Sequence, residues 1–239
     1  STPGSRVGGK PLKTVLTISA VVTASVGLLR WAGGLQRLEL LAYDRLMRQQ
    51  PAKTIDQPRL LLVEATEEDI NTYGYPIPDD VLAQAVNRLL PYQPRVIGLD
   101  VARNQVTPDS GPLGQHFKAQ NSLIAVCSFG RAGDANKSGI GPPAGMPENR
   151  VGFGNVVSDP DGVLRRQLLF AQPDTTSPCT SRMSLAMLMA LHYLDAVGIQ
   201  PENLDHDRLQ LGAATFTPLE DRSGGYQDID SRGFQTLLT

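Results

Sequence analysis

The hydrophobic pattern divides the chain into an apolar stretch near the N-terminus and a longer mixed region. Residues 14–29 (TVLTISAVVTASVGLL) carry no charge and are mostly apolar, and the first acidic residue of the chain is Glu39. A helix needs about 20 residues to cross the hydrocarbon core of a membrane, so this stretch reaches a spanning length if it extends to residue 35. Basic residues flank it on both sides: Arg6, Lys10, Lys13, Arg30 and Arg37.

The flanking charges predict an orientation in the membrane. We expect a cytoplasmic segment over residues 1–13, a transmembrane helix over residues 14–35 and an extracytoplasmic domain over residues 36–239, because the larger positive cluster stays in the cytoplasm. A cleaved signal peptide has the same basic start and apolar centre. A helix of a soluble protein is a third interpretation of this stretch.

Beyond the N-terminal stretch, short apolar runs alternate with amphipathic segments. Residues 59–64 (RLLLVE), 96–100 (VIGLD) and 123–127 (LIAVC) predict buried strands, and a helix between the first two makes a parallel βαβ unit. Residues 151–157 and 163–170 predict the strands of a hairpin around the turn sequence SDPDG. The predicted fold class is α/β: a mixed sheet with a parallel βαβ core and antiparallel hairpin strands, helices packed on the sheet, and an N-terminal membrane helix.

Local signals place several helix ends. Residues 38–47 (LELLAYDRLM) have apolar positions at helical spacing, which predicts that the N-terminal helix continues into the following domain. Thr66 is a suitable N-cap for a short helix, and Ser181 or Ser184 for a later one. Residues 234–239 (FQTLLT) resemble a strand that stops in mid-course, so we expect the chain to be truncated at its C-terminus.

Composition limits the classes of partner. The chain has 22 basic and 24 acidic residues, and this balance leaves no strong field for nucleic acid. No zinc-ligand spacing, phosphate-binding glycine loop or nucleophile motif is present, so we expect no cofactor and no metal site. Cys127 and Cys179 are the only cysteines. In an exported domain they form a disulfide or remain two separate buried thiols.

Two carboxylates end predicted parallel strands. Glu64 and Asp100 stand at the carboxyl edge of the sheet, where α/β proteins bind ligands. Together they would suit acid/base chemistry or a metal, as in a membrane-anchored periplasmic hydrolase. The plainer interpretation is that polar residues end buried strands because the chain reaches water there.

The hairpin turn has its own charged residues. Asp159, Asp161 and Gly162 resemble the start of a calcium loop, but no acidic residue stands at the closing position. A turn whose aspartates accept backbone hydrogen bonds is therefore favoured. Arg165 and Arg166 follow on the strand and point to opposite faces, so at most one of them faces a pocket, and solvated arginines are the plainer interpretation.

The order of these segments resembles the CHASE family, type two (cyclase/histidine-kinase associated sensory extracellular domains). The resemblance covers residues 38–239. The segments that carry it are residues 38–48 (LELLAYDRLMR), 60–70 (LLLVEATEEDI), 75–79 (YPIPD), 94–100 (PRVIGLD) and 151–169 (VGFGNVVSDPDGVLRRQLL). The Tyr-Pro-x-x-Asp sequence and the two cysteines are similar to those of cyanobacterial members.

The resemblance implies a non-catalytic sensor, located in the periplasm or extracellular space, that controls a cytoplasmic kinase or nucleotide cyclase. We expect a small-molecule or envelope ligand, the membrane and a second copy of the chain in a homodimer as partners. A structural module that dimerises through residues 38–47 is the alternative. The predicted pocket lies at the carboxyl edge of the parallel strands and comprises Glu64, Thr66, Asp100, Arg103 and Arg165.

Overall fold

The structure, a computed structural model, describes residues 10–51, 59–104, 111–130, 138–203 and 207–238. The chain forms two units. The first combines residues 1–54 with residues 220–231, and the second combines residues 55–219 with residues 232–238.

The first unit is built around two helices, α1 (Lys10–Trp31) and α2 (Gln36–Gln49). Residues 12–31 are apolar enough to cross a membrane, with a mean hydropathy of 1.8, and their side chains are exposed. Residues 38–47 are helical, as predicted, but their predicted continuity with the N-terminal helix is wrong, because a turn that contains Gly33 at a φ of 79° separates α1 from α2.

Polar contacts fix the turn between these helices. Arg30, which interrupts the apolar stretch, is paired with Glu39 at 2.7 Å and also donates to the carbonyl of Gly224 at 3.0 Å. The Gln36 side chain accepts a hydrogen bond from the backbone of Gln227 at 2.9 Å. The loop of residues 220–231 is thereby tied to the start of α2.

The second unit is a mixed α/β structure, as predicted. Its elements are α3 (Glu67–Tyr73), α4 (Asp79–Leu89), β1 (Ile97–Leu99), α5 (Pro112–Ala119), β2 (Leu123–Phe129), β3 (Gly139–Ile140), β4 (Val151–Phe153), β5 (Arg166–Phe170), α6 (Leu185–Asp195), β6 (Pro201–Asn203), β7 (Leu209–Leu211), β8 (Ala214–Phe216) and β9 (Phe234–Leu237). The central sheet has three parallel strands in the order β1, β2, β4, with the two-residue strand β3 antiparallel to the end of β2. Strands β5 and β9 pair antiparallel, and β6, β7 and β8 form a separate antiparallel sheet.

Alternate residues of β2 face the two sides of the sheet. Leu123, Ala125 and Cys127 join a core cluster with residues of α4 and α5. Helix α6 lies on the opposite face, against β1, β2 and β4. The chain thus buries β2 on both sides, which explains its nearly unbroken apolar sequence.

Two glycines allow α6 to approach the sheet closely. A Cβ atom on Gly98 of β1 would collide with the Met189 sulfur, and one on Gly152 of β4 would lie 2.5 Å from the Cα of Leu185. At Gly152 only a hydrogen atom fits, because the neighbour is the backbone of α6, whereas a Cβ atom on Gly98 would require the flexible Met189 side chain to move.

Two predictions about strands are wrong. Residues 59–64 have no regular secondary structure and pair with no strand in the described part of the chain, so the predicted βαβ unit with residues 96–100 is not formed in this structure. The hairpin is also wrong, since β5 pairs with β9 and only one antiparallel bridge, between Val157 and Arg166, joins the two predicted strands.

Other local predictions are confirmed. Thr66 caps α3 by accepting a hydrogen bond from the backbone of Asp69, and Ser184 rather than Ser181 caps α6. The final strand appears as β9.

A buried arginine contributes to the core without any signal in the sequence. Arg150 donates to the carbonyls of Phe117 and Gln120 at the end of α5, where backbone carbonyls lack helical partners. Burial lowers the pKa of its guanidinium.

We expect Gly152→Ala to lower the free energy of unfolding by about 1–3 kcal/mol, because the new methyl group must displace the backbone of α6. Gly141→Ala is the matched control, since its Cβ would meet its nearest neighbour at 3.5 Å. Urea unfolding of the chain in detergent, followed by circular dichroism, measures both. Equal stability of the two variants would contradict the close packing.

Candidate functional site

A cavity of about 270 Å³ lies in the second unit at the carboxyl ends of β1 and β4. This edge of a parallel sheet is where α/β proteins place their ligands. The first residues of α6 and part of β5 complete its wall. The cavity is lined by Asp100, Phe153, Gly154, Asn155, Val156, Leu164, Arg166, Gln167, Leu168, Ser184, Leu185, Ala186 and Leu238.

Asn155 lines the cavity and is fixed by two hydrogen bonds to the backbone of β2. Its side-chain oxygen accepts a hydrogen bond from the backbone N–H of Phe129 at 2.7 Å, and its amide donates to the Phe129 carbonyl at 3.3 Å. These two bonds continue the β2–β4 ladder beyond the end of β4. Both polar atoms of the Asn155 side chain are therefore used in hydrogen bonds to the backbone of β2, and other residues of the cavity would contact a ligand.

The N-terminus of α6 is anchored at the same place. The backbone N–H of Ser184 donates to the Leu169 carbonyl at 2.9 Å, and its hydroxyl accepts from the backbone of Met187 at 3.2 Å. The carbonyl of Met183 accepts from Phe153 at 2.9 Å. The positive end of the helix dipole thus borders the cavity between β4 and β5.

A buried carboxylate controls the arginine that lines the cavity. The Asp159 side chain is fully buried and is paired with Arg165 at 2.8 Å through one oxygen and with Arg166 at 2.9 Å through the other. Arg166 also donates to the Gln235 side chain of β9 at 2.8 Å. Because Asp159 and Gln235 occupy its guanidinium, the charge of Arg166 is compensated within the protein.

Asp161 completes this cluster at the surface. It accepts hydrogen bonds from Arg165 at 2.7 and 3.0 Å and from the backbone of Val163 at 3.2 Å. The hydrogen bonds from Arg165 lower the pKa of the Asp161 carboxyl to about 2. The turn interpretation of this segment is confirmed, whereas the solvated arginines are wrong, since Arg165 and Arg166 are both buried.

The structure separates the residues predicted to form the pocket. Asp100 lines the cavity. Arg165 points into the Asp159 cluster, and Arg103 binds the start of α4 through Asp79 at 3.0 Å and the Ile77 carbonyl. Glu64 and Thr66 lie in an exposed segment outside the sheet, where Thr66 caps α3. Of the five residues, only Asp100 borders the cavity.

Sequence reasoning missed Arg166 and Gln235. The sequence distinguishes Arg165 from Arg166 only by the face of the strand each would occupy. Which of the two arginines lines the cavity depends on the pairing of β5 with β9, which the sequence does not show. Gln235 lies 69 residues away in the sequence, and no local pattern connects it to Arg166.

The two cysteines meet on the face of β2 that packs against α4 and α5, opposite the face covered by α6. The structure joins Cys127 to Cys179 with a Cα–Cα distance of 5.5 Å. This bond connects the central strand to the segment that leads into α6, and both cysteines belong to the core cluster under α4 and α5.

We expect Asp159→Asn to destabilise the second unit by about 3–5 kcal/mol, because two buried guanidinium groups lose their shared carboxylate. The free energy of unfolding at pH 7, from urea titration in detergent, measures the change. Asp161→Asn is the matched control, since the Asp161 side chain is 44% exposed. An equal loss in both variants would show that burial of Asp159 has no special effect.

Comparison with known proteins places the chain in a family. The family model described as the CHASE2 domain matches residues 20–238. No curated protein and no solved structure matches the chain. The family is sensory and not catalytic, so the hydrolase interpretation of Glu64 and Asp100 is wrong. With 219 of its 239 residues inside the match, the chain belongs to the CHASE2 family of extracellular sensory domains.

Proposed function

We propose that the chain is the extracytoplasmic input domain of a membrane-bound receptor that controls a cytoplasmic kinase or nucleotide cyclase. Membership of a sensory family supports this function. The helix of residues 12–31 supports membrane attachment, because it has the length and composition of a span. The basic residues before it favour a periplasmic or extracellular position for the rest of the chain.

The cavity at the carboxyl edge of the sheet carries the ligand-binding part of this function. Its volume of about 270 Å³ suits a small molecule. Most of its lining is apolar, and its charged side chains are Asp100 and Arg166. Among the described residues Asp100 has no ion pair, whereas Arg166 is paired with Asp159. The charge that remains for a ligand is therefore negative, so the stimulus is a small organic cation with an apolar body.

A ligand acts as a signal only through its different affinities for two states of the receptor. The cavity joins elements that are far apart in the sequence, from β1 to the residue after β9. A bound molecule therefore stabilises one arrangement of these elements against another.

Helix α2 provides a surface for a second copy of the chain. Its side chains Leu38, Leu41 and Leu46 are exposed and form an apolar surface through which two copies form a homodimer.

We expect small aliphatic amines to raise the melting temperature of the chain in detergent, whereas the carboxylic acids with the same carbon skeletons leave it unchanged. The amine places its ammonium group against Asp100 and its chain against Leu164 and Leu168. Differential scanning fluorimetry with a panel of such matched pairs measures the shift.

Two variants test the position of the site. Asp100→Asn should abolish the shift, and Asp174→Asn, an exposed carboxylate outside the cavity, should preserve it. An amine shift that survives in Asp100→Asn would overturn the site, and the absence of a shift with every amine would overturn the ligand class.

A topology reporter tests the location of the domain. We expect alkaline phosphatase fused after Arg48 to be active and β-galactosidase at the same position to be inactive, because the larger positive cluster precedes α1. Replacing Arg6, Lys10 and Lys13 with glutamine should weaken this preference. A fusion after Arg48 that is active only in the cytoplasm would contradict the proposed function.

A further inference from the structure

The segment of residues 60–63 (LLLV) is anomalous for a folded domain. Its four apolar side chains are between 60% and 79% exposed. Runs of this kind are costly in water and usually mark an interaction surface. The backbone of the segment also lacks a strand partner in the described part of the chain.

The central sheet has an open edge of the matching kind. One side of β1 pairs with β2, from Ile97 opposite Leu123 to Leu99 opposite Ala125. On its other side β1 pairs with no strand among the described residues. An open edge exposes backbone groups that a further strand can bind.

The chain direction between the two segments fits a parallel strand. Arg103, just after β1, binds Asp79 and the carbonyl of Ile77, so α4 begins at the carboxyl end of β1. The chain then returns along α4 and enters β1 from its amino end. Residues 60–64 lead to α4 through the short helix α3, and a strand formed by them runs parallel to β1 when its carboxyl end lies near the start of α4.

We propose that residues 60–64 dock on the open edge of β1 of the same chain as a further parallel strand, and that the structure holds the undocked form. Docking buries the apolar run and completes a right-handed βαβ crossover. In the register that places Glu64 opposite Asp100, Leu61 lies opposite Ile97 and Val63 opposite Leu99. Glu64 and Thr66 then reach the edge of the sheet that carries the cavity.

Docking also alters the ligand site and gives the sensor two discrete states. The docked strand adds a second carboxylate beside Asp100. Strand docking does not depend on the identity of the ligand, because it is argued from the exposed segment and from an edge of β1 that carries no partner among the described residues.

A disulfide trap tests this pairing. Neighbouring strands place opposed Cα atoms about 5 Å apart, within the range of a disulfide. We expect Leu61→Cys combined with Ile97→Cys to form an intrachain bond under mild oxidation of the full chain in detergent, read by mass spectrometry of its peptides. Leu61→Cys combined with Arg88→Cys is the control, since Arg88 is exposed on α4. No bond above the control level would overturn the proposal.

Two further readouts separate the alternatives. Mixing isotopically labelled and unlabelled chains before oxidation distinguishes bonds within a chain from bonds between copies, and bonds only between copies would overturn docking within the chain. In the unmodified protein, we expect those alternate amides of residues 61–64 that face β1 to exchange at least about tenfold more slowly than unprotected amides, since the other amides of an edge strand point away from the sheet. Exchange at the unprotected rate would overturn the proposal even if the cysteine variants failed to fold.

Discussion

The buried Asp159 carboxylate connects the parts of the second unit that meet at the cavity. It accepts from Arg165 and Arg166 at the start of β5, and Arg166 in turn reaches Gln235 of β9. The two aspartates and two arginines of the cluster sum to zero charge, which makes burial of the guanidinium groups tolerable. The position of Arg166 in the cavity wall is thus a consequence of this ion pairing rather than of strand alternation alone.

Packing around the sheet follows from steric limits rather than charge. The glycines of β1 and β4 bring α6 close to one face, and α4 and α5 cover the other face through side chains of β2. Since helices cover both faces of the sheet, a ligand or a further strand can bind only at its edges and at the ends of its strands. The cavity lies at one such end, and the unpaired side of β1 is one such edge.

The sequence was informative where local chemistry determines structure. The apolar run of β2 predicts a buried strand, because its side chains are costly to expose to water. The side chains of Thr66 and Ser184 accept hydrogen bonds from backbone N–H groups that the first turn of every helix leaves unpaired. Asp100 was also accessible to prediction, because its place after a short apolar strand fixes it at the carboxyl edge of the sheet. These inferences need only neighbours within a few residues.

The sequence was uninformative where segments far apart in the chain compete to pair with the same strand. The SDPDG turn favours a hairpin locally, but β5 gains more from β9, with the Arg166–Gln235 hydrogen bond and the Phe170–Phe234 ring contact at 5.7 Å. Burial of Arg150 likewise depends on carbonyls of α5 that no sequence pattern assigns to it. Of the five residues predicted to form a pocket, four lie away from the cavity that Asp100 lines, because the position of a pocket depends on which strand ends meet.

The covalent link between Cys127 and Cys179 has a consequence for biogenesis. Disulfides persist in the oxidising space outside the cytoplasm and are reduced within it. A chain inserted in the wrong orientation would keep both thiols and lose the cross-link between the central strand and the segment before α6. The stability of the folded domain is therefore linked to the redox state of the compartment in which it folds.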